Sequence, residues 1–356
     1  VKVLWLSPWL RTLTRVQVDA LTTAGHECLV VTTDQHYEKV AARSDERVLD
    51  PAIKDPRTLP ALARVTAEAR RFGPDVVVSE LMHDPRWLPM TRLAPLVQVV
   101  HDDRPHDATE ERPWHQRAVL DHQTRSAAAV VAPSAHVAAV LSARFGRRID
   151  VVPVTSDVPE AALPPVPVPA SERRDFVLLG RMSPYKNVEV ALRAWAAHTA
   201  SPAHRGDRLL LLGNGPLSEL DLPEHVEWRR EHFSYADVLP DLARAKGSLA
   251  HYRLATQSGV QVLSMQLGVP TIVSDSGGLP EFAPPSLPPL PIDDVAGLTA
   301  VFGRLADPAV AAEVGAAARA HYLAHFSADR AAEGWATVFA RVSAAAGSER
   351  RAPSVG

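Results

Sequence analysis

The sequence predicts an α/β chain built from two doubly wound domains in tandem. Three observations carry this. Short apolar runs alternate with stretches of helical spacing, the alternation stops at one proline-dense segment and restarts, and the length suits two cores. The chain has 356 residues, which at about 150 residues per domain is two domains rather than one. The strand candidates are apolar throughout rather than alternating, as in parallel sheets covered on both faces.

In chain order, Val3-Leu4-Trp5-Leu6 is the first strand. Val1 to Leu10, interrupted by Pro8 and without a small-residue cleavage site, reads as this strand and not as a signal peptide. Val16, Ala20, Leu21 and Ala24 have helical spacing, and Gly25 stops the helix. Strands follow at Leu29 to Thr32, Asp75 to Ser79, Leu96 to Val100, Val130 to Ala132 and Asp150 to Pro153. Between them lie an amphipathic helix, Ala61 to Phe72, and a helix from Ala135 to Leu141 that Ser134 can cap. Val158 to Ser171 then holds five prolines, too many for a helix, and suits a semi-rigid linker. After it come strands at Phe176 to Leu179, Arg208 to Leu212, Ser248 to Tyr252 and Thr271 to Ser274. Helices are expected at Val188 to Ala197, Tyr235 to Ala245 and Gly259 to Leu267. Ala-rich helices at Gly297 to Ala306, Ala309 to His321 and Ala328 to Ala346 close the chain, with Gly347 to Gly356 frayed.

The boundaries that follow are a first domain over 1–157, a linker over 158–172 and a second domain over 173–329. The 330–356 helix packs back on the first. Lys plus Arg number 38 and Asp plus Glu 41, a net charge of −3, which argues against a nucleic-acid binder. The single cysteine, Cys28, excludes an intramolecular disulfide and a cysteine metal cage, and its place in a strand makes it a packed thiol. No apolar run is long enough to span a membrane. A cytoplasmic protein is expected, with peripheral contact at the inner membrane face left open. Arg64, Arg70 and Arg71, and Arg144, Arg147 and Arg148, read as ordinary solvated helix faces.

Open α/β sheets bind ligands beyond the carboxyl ends of their strands, so the loops there hold the candidate chemistry. Gly180-Arg181-Met182-Ser183-Pro184-Tyr185-Lys186 follows a strand and precedes a helix. An isolated Arg–Lys pair is solvated charge; at this position Arg181 and Lys186 stand at the loop mouth, where two cations can hold a departing diphosphate. Thr256-Gln257-Ser258-Gly259-Val260 opens the next helix, with Ser258 as N-cap, and its free N–H groups suit an anion. Gly213 lies in a glycine turn, and Glu281, after Gly277-Gly278, can accept hydrogen bonds from hydroxyls. In the first half, His101-Asp102-Asp103-Arg104-Pro105-His106-Asp107 ends a strand. The spacing of His101 and His106 does not match a helical zinc pair, and Pro105 bars a continued helix, so a polar, sugar-facing loop is favoured over a metal site.

Taken in order, Gly180-Arg181 with Lys186, Leu212-Gly213-Asn214-Gly215-Pro216, Gln257-Ser258-Gly259-Val260, Gly268-Val269-Pro270 and Gly277-Gly278-Leu279-Pro280-Glu281 resemble glycosyltransferase family 4. The resemblance covers most of the chain. Ala24-Gly25-His26-Glu27, His101-Asp102 with Pro105-His106, and Pro133-Ser134 carry it in the first half. It implies the GT-B fold, two Rossmann-like domains facing across a cleft. It also implies a retaining enzyme that uses a nucleotide diphosphate sugar, with no cofactor and no metal. By the same resemblance Arg181 and Lys186 grip the diphosphate, Gln257, Ser258, Gly259 and Val260 bind it, and His101 touches the donor sugar near the reacting carbon. Gly213, His232, Phe233, Thr256 and Glu281 lie at the nucleoside or sugar, and Asp102 and His106 on the acceptor side.

Two departures stand out. Many members carry Glu-x7-Glu where this chain has Ala255 and Leu263, and the usual glycine pair after the first strand is replaced by Pro8-Trp9-Leu10-Arg11-Thr12. Three readings therefore stay open. The first is a transferase acting on a saccharide, lipid-linked saccharide or natural-product acceptor; the others are a silent nucleotide-sugar-binding subunit and a GT-B epimerase or phosphorylase.

Overall fold

The computed structural model describes residues 1–34, 41–102, 113–217, 220–231 and 234–351. The described residues form two compact units. One takes the chain up to Pro153 together with everything from Ala328, and the other runs from Val154 to Ser327.

The first unit is a sheet of seven strands: β1 (Lys2–Leu6), β2 (Glu27–Thr33), β3 (Glu46–Leu49), β4 (Val76–Glu80), β5 (Leu96–Val99), β6 (Ala129–Ala132) and β7 (Asp150–Val151). Their order is β3-β2-β1-β4-β5-β6-β7, and every pair is parallel. The helices are α1 (Arg11–Thr23), α2 (Leu59–Phe72), α3 (Leu88–Thr91), α4 (Trp114–Ser126) and α5 (Ala135–Phe145). Side chains alternate between sheet faces, so β1 feeds two cores. Val3 and Trp5 join Val18 and Leu21 on one face, while Leu4 and Leu6 join Val65, Trp87 and Met90 on the other.

The second unit is a five-stranded parallel sheet of order β10-β9-β8-β11-β12. Its strands are β8 (Phe176–Leu179), β9 (Leu209–Leu212), β10 (Val226–Arg229), β11 (Gly247–Ala250) and β12 (Thr271–Val273). Helices α6 (Val188–Thr199), α7 (Tyr235–Ala243), α8 (Gly259–Gln266), α9 (Leu279–Phe282), α10 (Val295–Leu305) and α11 (Pro308–His325) cover it. The last helix, α12 (Ala328–Arg351), returns to the first unit. There Trp335, Val338, Phe339 and Val342 enter the core and the Trp335 ring meets Trp5 edge-on at 5.0 Å.

Several elements differ from the sequence reading, each for a physical reason. Helix α1 starts at Arg11, ahead of its apolar stripe, because Arg11 and Arg15 are tied to the buried Glu46. The edge strands β3 and β10 escape an apolar-run reading because Glu46-Arg47-Val48-Leu49 and Val226-Glu227-Trp228-Arg229 carry charges. Helix α12 runs through Gly347 to Arg351, past the point where fraying was expected. The proline-rich segment, read as a semi-rigid linker over 158–172, lies within the second unit. Val158 and Val168 are buried in a core of the second unit, and Gln266 Nε2 donates to the Val158 carbonyl at 3.0 Å. Arg319 pairs with Glu160 as well.

Candidate active site

In the second unit, the carboxyl ends of β8, β9 and β11 bring three loops together. Gly180 leaves β8 with φ +112°, a left-handed conformation that glycine adopts without strain. A Cβ there would lie 2.9 Å from Lys186 Nζ, so the missing side chain makes room for the amine. The glycine turn after β9 lies directly on this loop. The Met182 amide donates to the Asn214 carbonyl at 2.9 Å, and a Cβ on Gly215 would sit 2.1 Å from the Met182 carbonyl oxygen. Gly215 is thus the price of a close backbone approach.

Lys186 and Arg181 occupy different environments. Arg181 is exposed, whereas Lys186 is 5% exposed. The Lys186 ammonium donates to the Leu179 carbonyl at 2.9 Å and the Tyr252 hydroxyl at 2.8 Å, and lies 4.3 Å from the Tyr252 ring centroid. The expectation that both cations stand at the loop mouth is therefore corrected: carbonyl and aromatic partners hold Lys186 beneath the loop. Burial lowers its pKa, and the nearby charge of Arg181 adds to that. Burial also pushes the Tyr252 phenol up to about 12, so it is a neutral hydroxyl. Sequence reading missed Tyr252, which it placed at a strand end, yet Tyr252 joins the two predicted anion loops. Its hydroxyl lies 3.5 Å from Ser258 Oγ.

Ser258 is the N-cap of α8, its hydroxyl accepting from the Gln261 amide at 3.2 Å. Gly259 follows in the first turn, exposed, with nothing within 4 Å of the place a Cβ would take. Val260 is half-buried and Thr256 is buried. Gln257 is half-buried beside them. Glu281 is exposed on α9, and the loop before it is tied back by the Gly278 amide donating to the Ala255 carbonyl at 3.2 Å. The Gly213 carbonyl accepts from Trp228 Nε1 at 2.9 Å. The two positions where acids were looked for are core: Ala255 is 2% and Leu263 1% exposed. Leu263 packs with Val177, Leu210 and Leu242, where a carboxylate would be buried among aliphatic side chains at high cost.

In the first unit, His101 follows β5 and is buried, with Nε2 2.7 Å from Glu80 Oε1. Glu80, the last residue of β4, was not singled out by sequence; one acidic residue after an apolar strand gives no signal of its partners. Burial would raise its pKa, but the hydrogen bond and charge of His101 outweigh this and hold it below the usual carboxylate range. The segment that replaces the glycine pair is fixed by a second buried group. Arg11 Nη2 lies 2.8 Å from Glu46 Oε2, and Arg15 also reaches this carboxylate. Burial works against ionisation of Glu46, yet hydrogen bonds from Arg15, Arg11 and the Arg43 amide hold it at about 2. Asp102 is half-buried next to His101. His106, His232 and Phe233 lie outside the described residues. Among the described residues no group of three or more His, Cys, Asp or Glu side chains could hold a metal ion. Nor is any single helix there long and apolar enough to cross a membrane.

Two parallel sheets of seven and five strands match the GT-B fold of solved glycosyltransferase structures. Residues 12–157 match the model of Glycosyltransferase Family 4, and residues 173–306 that of Glycosyl transferases group 1. The two models together span well over half of the chain, which belongs to the family 4 glycosyltransferases. Solved structures with the same fold include a sucrose-phosphate synthase from Thermosynechococcus elongatus. It is 17% identical with a TM-score of 0.71, over 97% of this chain and 100% of that one. HepE from Anabaena, solved in complex with UDP and glucose, is 16% identical with a TM-score of 0.65, over 96% and 99%. AviGT4, a glycosyltransferase involved in avilamycin A biosynthesis, is 17% identical with a TM-score of 0.62, over 97% and 98%. No curated protein sequence matches the chain.

Proposed function

We propose that this enzyme is a retaining glycosyltransferase that moves a sugar from a nucleoside diphosphate sugar to a saccharide, lipid-linked saccharide or natural-product acceptor. The observation that carries the reading is the pair of anion loops joined by Tyr252, with exposed Arg181, buried Lys186 and the Ser258-capped start of α8. Arg181 contacts the diphosphate directly, and Lys186 adds positive charge from beneath the loop. Gln257 and the backbone N–H groups of Ser258, Gly259 and Val260 take the remaining oxygens. These groups stabilise negative charge as the diphosphate departs, so the reaction needs no metal and no cofactor. His101 acts on the donor sugar, and the acceptor is assigned to Asp102 and to His106, which lies outside the described residues.

With Ala255 and Leu263 in place of carboxylates, donor hydroxyls are met by Thr256 and Glu281, and the nucleoside by Gly213, His232 and Phe233. A uridine diphosphate sugar is the first donor to test, because HepE is solved in complex with UDP-glucose. The working compartment is the reducing cytoplasm that the lone Cys28 suits.

The test is proton NMR of the products formed from UDP- and GDP-sugars with and without candidate acceptors. Transfer with the anomeric configuration of the donor supports the reading. An inverted product overturns retention. Sugar interconversion without acceptor makes the chain an epimerase, and no turnover of any donor makes it a binding subunit.

A further inference from the structure

Lys186 is a buried cation held by neutral groups. It is 5% exposed, and among the described residues no carboxylate pairs with it. Its ammonium donates to two uncharged oxygens, the Leu179 carbonyl at 2.9 Å and the Tyr252 hydroxyl at 2.8 Å. Nζ also stands over the Tyr252 ring, 4.3 Å from its centroid, where the ring quadrupole attracts a cation. The other titratable groups about it are Arg181, whose charge opposes the ammonium, and Tyr185, whose ring centroid lies 5.7 Å away. A buried charge without an opposite charge is costly, so this arrangement favours an anion brought from outside the chain.

Tyr252 is itself fixed. It is 3% exposed, packs with Ala250, Ala255, Val273 and Leu279, and meets the Tyr185 ring edge-on at 5.7 Å. A phenylalanine would fill that space equally well. The hydroxyl finds its partners in Lys186 and in Ser258 Oγ, 3.5 Å away. With its pKa raised to about 12 by burial, the phenol is neutral at pH 7. A carboxylate in its place would also hold the amine, but would cancel its charge.

We propose that Tyr252 is a positioning residue of the diphosphate site, whose uncharged hydroxyl and ring face fix the Lys186 ammonium so that its positive charge stays available to the anion. The proposal rests on the reading that Lys186 adds charge to a bound diphosphate. Tyr252→Phe keeps the ring and removes the hydroxyl. The protonated amine then loses an acceptor, and a hydrogen bond to a charged group is worth about one pH unit of titration or more.

The test uses the whole chain and two readouts. Carbon-detected NMR of the lysine Cε atoms, with Lys186→Met to assign the signal, follows the titration of Lys186 without any ligand. The wild type should titrate below the ordinary lysine range, and Tyr252→Phe about one pH unit lower still. Calorimetry with UDP then measures affinity against pH. Binding should weaken as the pH rises through the Lys186 midpoint, and in Tyr252→Phe this fall should begin about one pH unit earlier. Lys186→Met should bind weakly, with no such fall. An ordinary lysine midpoint in the wild type overturns the proposal, even if Tyr252→Phe does not fold. So does an unchanged midpoint in a folded Tyr252→Phe variant, or a loss of affinity in it that is equal at every pH. If the midpoints move as stated but neither UDP nor inorganic pyrophosphate binds the wild type, it is the diphosphate reading of the site that fails.

Discussion

Replacing Gly215 with alanine tests whether the two loops of the second unit are held together as closely as the backbone geometry indicates. The added Cβ would fall 2.1 Å from the Met182 carbonyl oxygen and 2.6 Å from both the Met182 carbonyl carbon and amide nitrogen. Ordinary contact begins near 3.4 Å, so about 1.3 Å (3.4 less 2.1) must be made up by moving backbone. No flexible side chain can absorb this. The displacement also strains two backbone bonds, Met182 to Asn214 at 2.9 Å and Leu217 to Met182 at 3.2 Å. Overpacking of this kind costs about 1–3 kcal/mol, and each weakened bond adds about 0.5–1.5 kcal/mol. A loss of roughly 2–6 kcal/mol in urea unfolding is expected. Arg181 precedes Met182, so the shift also displaces the proposed diphosphate contact, and a misplacement of about 1 Å can cost about 10²-fold in kcat/KM. Gly259→Ala is the stability control: its Cβ meets nothing within 4 Å, and it should lose no stability. A Gly215→Ala variant with the wild-type urea midpoint and transfer rate would refute the reasoning.

Two further outcomes concern the first unit. Glu46 has a folded-state pKa of about 2 against 4.5, so its stabilising effect is complete above about pH 4.5 and is lost as the pH falls towards 2. At about 1.36 kcal/mol per unit that is about 3 kcal/mol. Glu46→Gln should weaken the fold at pH 7, because Arg11 is left buried without its carboxylate, and should flatten acid unfolding across that window; an unchanged acid limb would count against the arginine cluster. Trp335, 2% exposed, edge-on to Trp5 and stacked on Phe339, should cost about 3–5 kcal/mol on truncation to alanine in urea unfolding; a cost under about 1 kcal/mol would mean that α12 is not integral to the first unit.

Much of the fold was legible because its inner strands announce themselves. Val76-Val77-Val78 and Leu209 to Leu212 are apolar without interruption, as strands covered on both faces must be. The edges β7 and β12 were legible too, but β3 and β10 were not, because they carry charges; Glu46 in β3, for instance, answers to Arg11 and Arg15. The loops after β8 and before α8 could be read from a glycine and a cap, since local backbone demands fix Gly180 and Ser258. What could not be read was depth. Nothing local says that Lys186 turns inward onto Tyr252, or that Glu80 and His101 meet from adjacent strands. Both depend on packing between segments tens of residues apart.

The central claim is that the second unit binds the diphosphate of a nucleotide through Arg181. Its most direct test is thermal unfolding of the wild type and Arg181→Ala against a panel of nucleoside diphosphates. A ligand at ~100 times its dissociation constant adds about 2.7 kcal/mol of stability. The account predicts a rise in melting temperature for one nucleoside diphosphate in the wild type and its loss in Arg181→Ala. No rise with any nucleotide, or an equal rise in the variant, would contradict it.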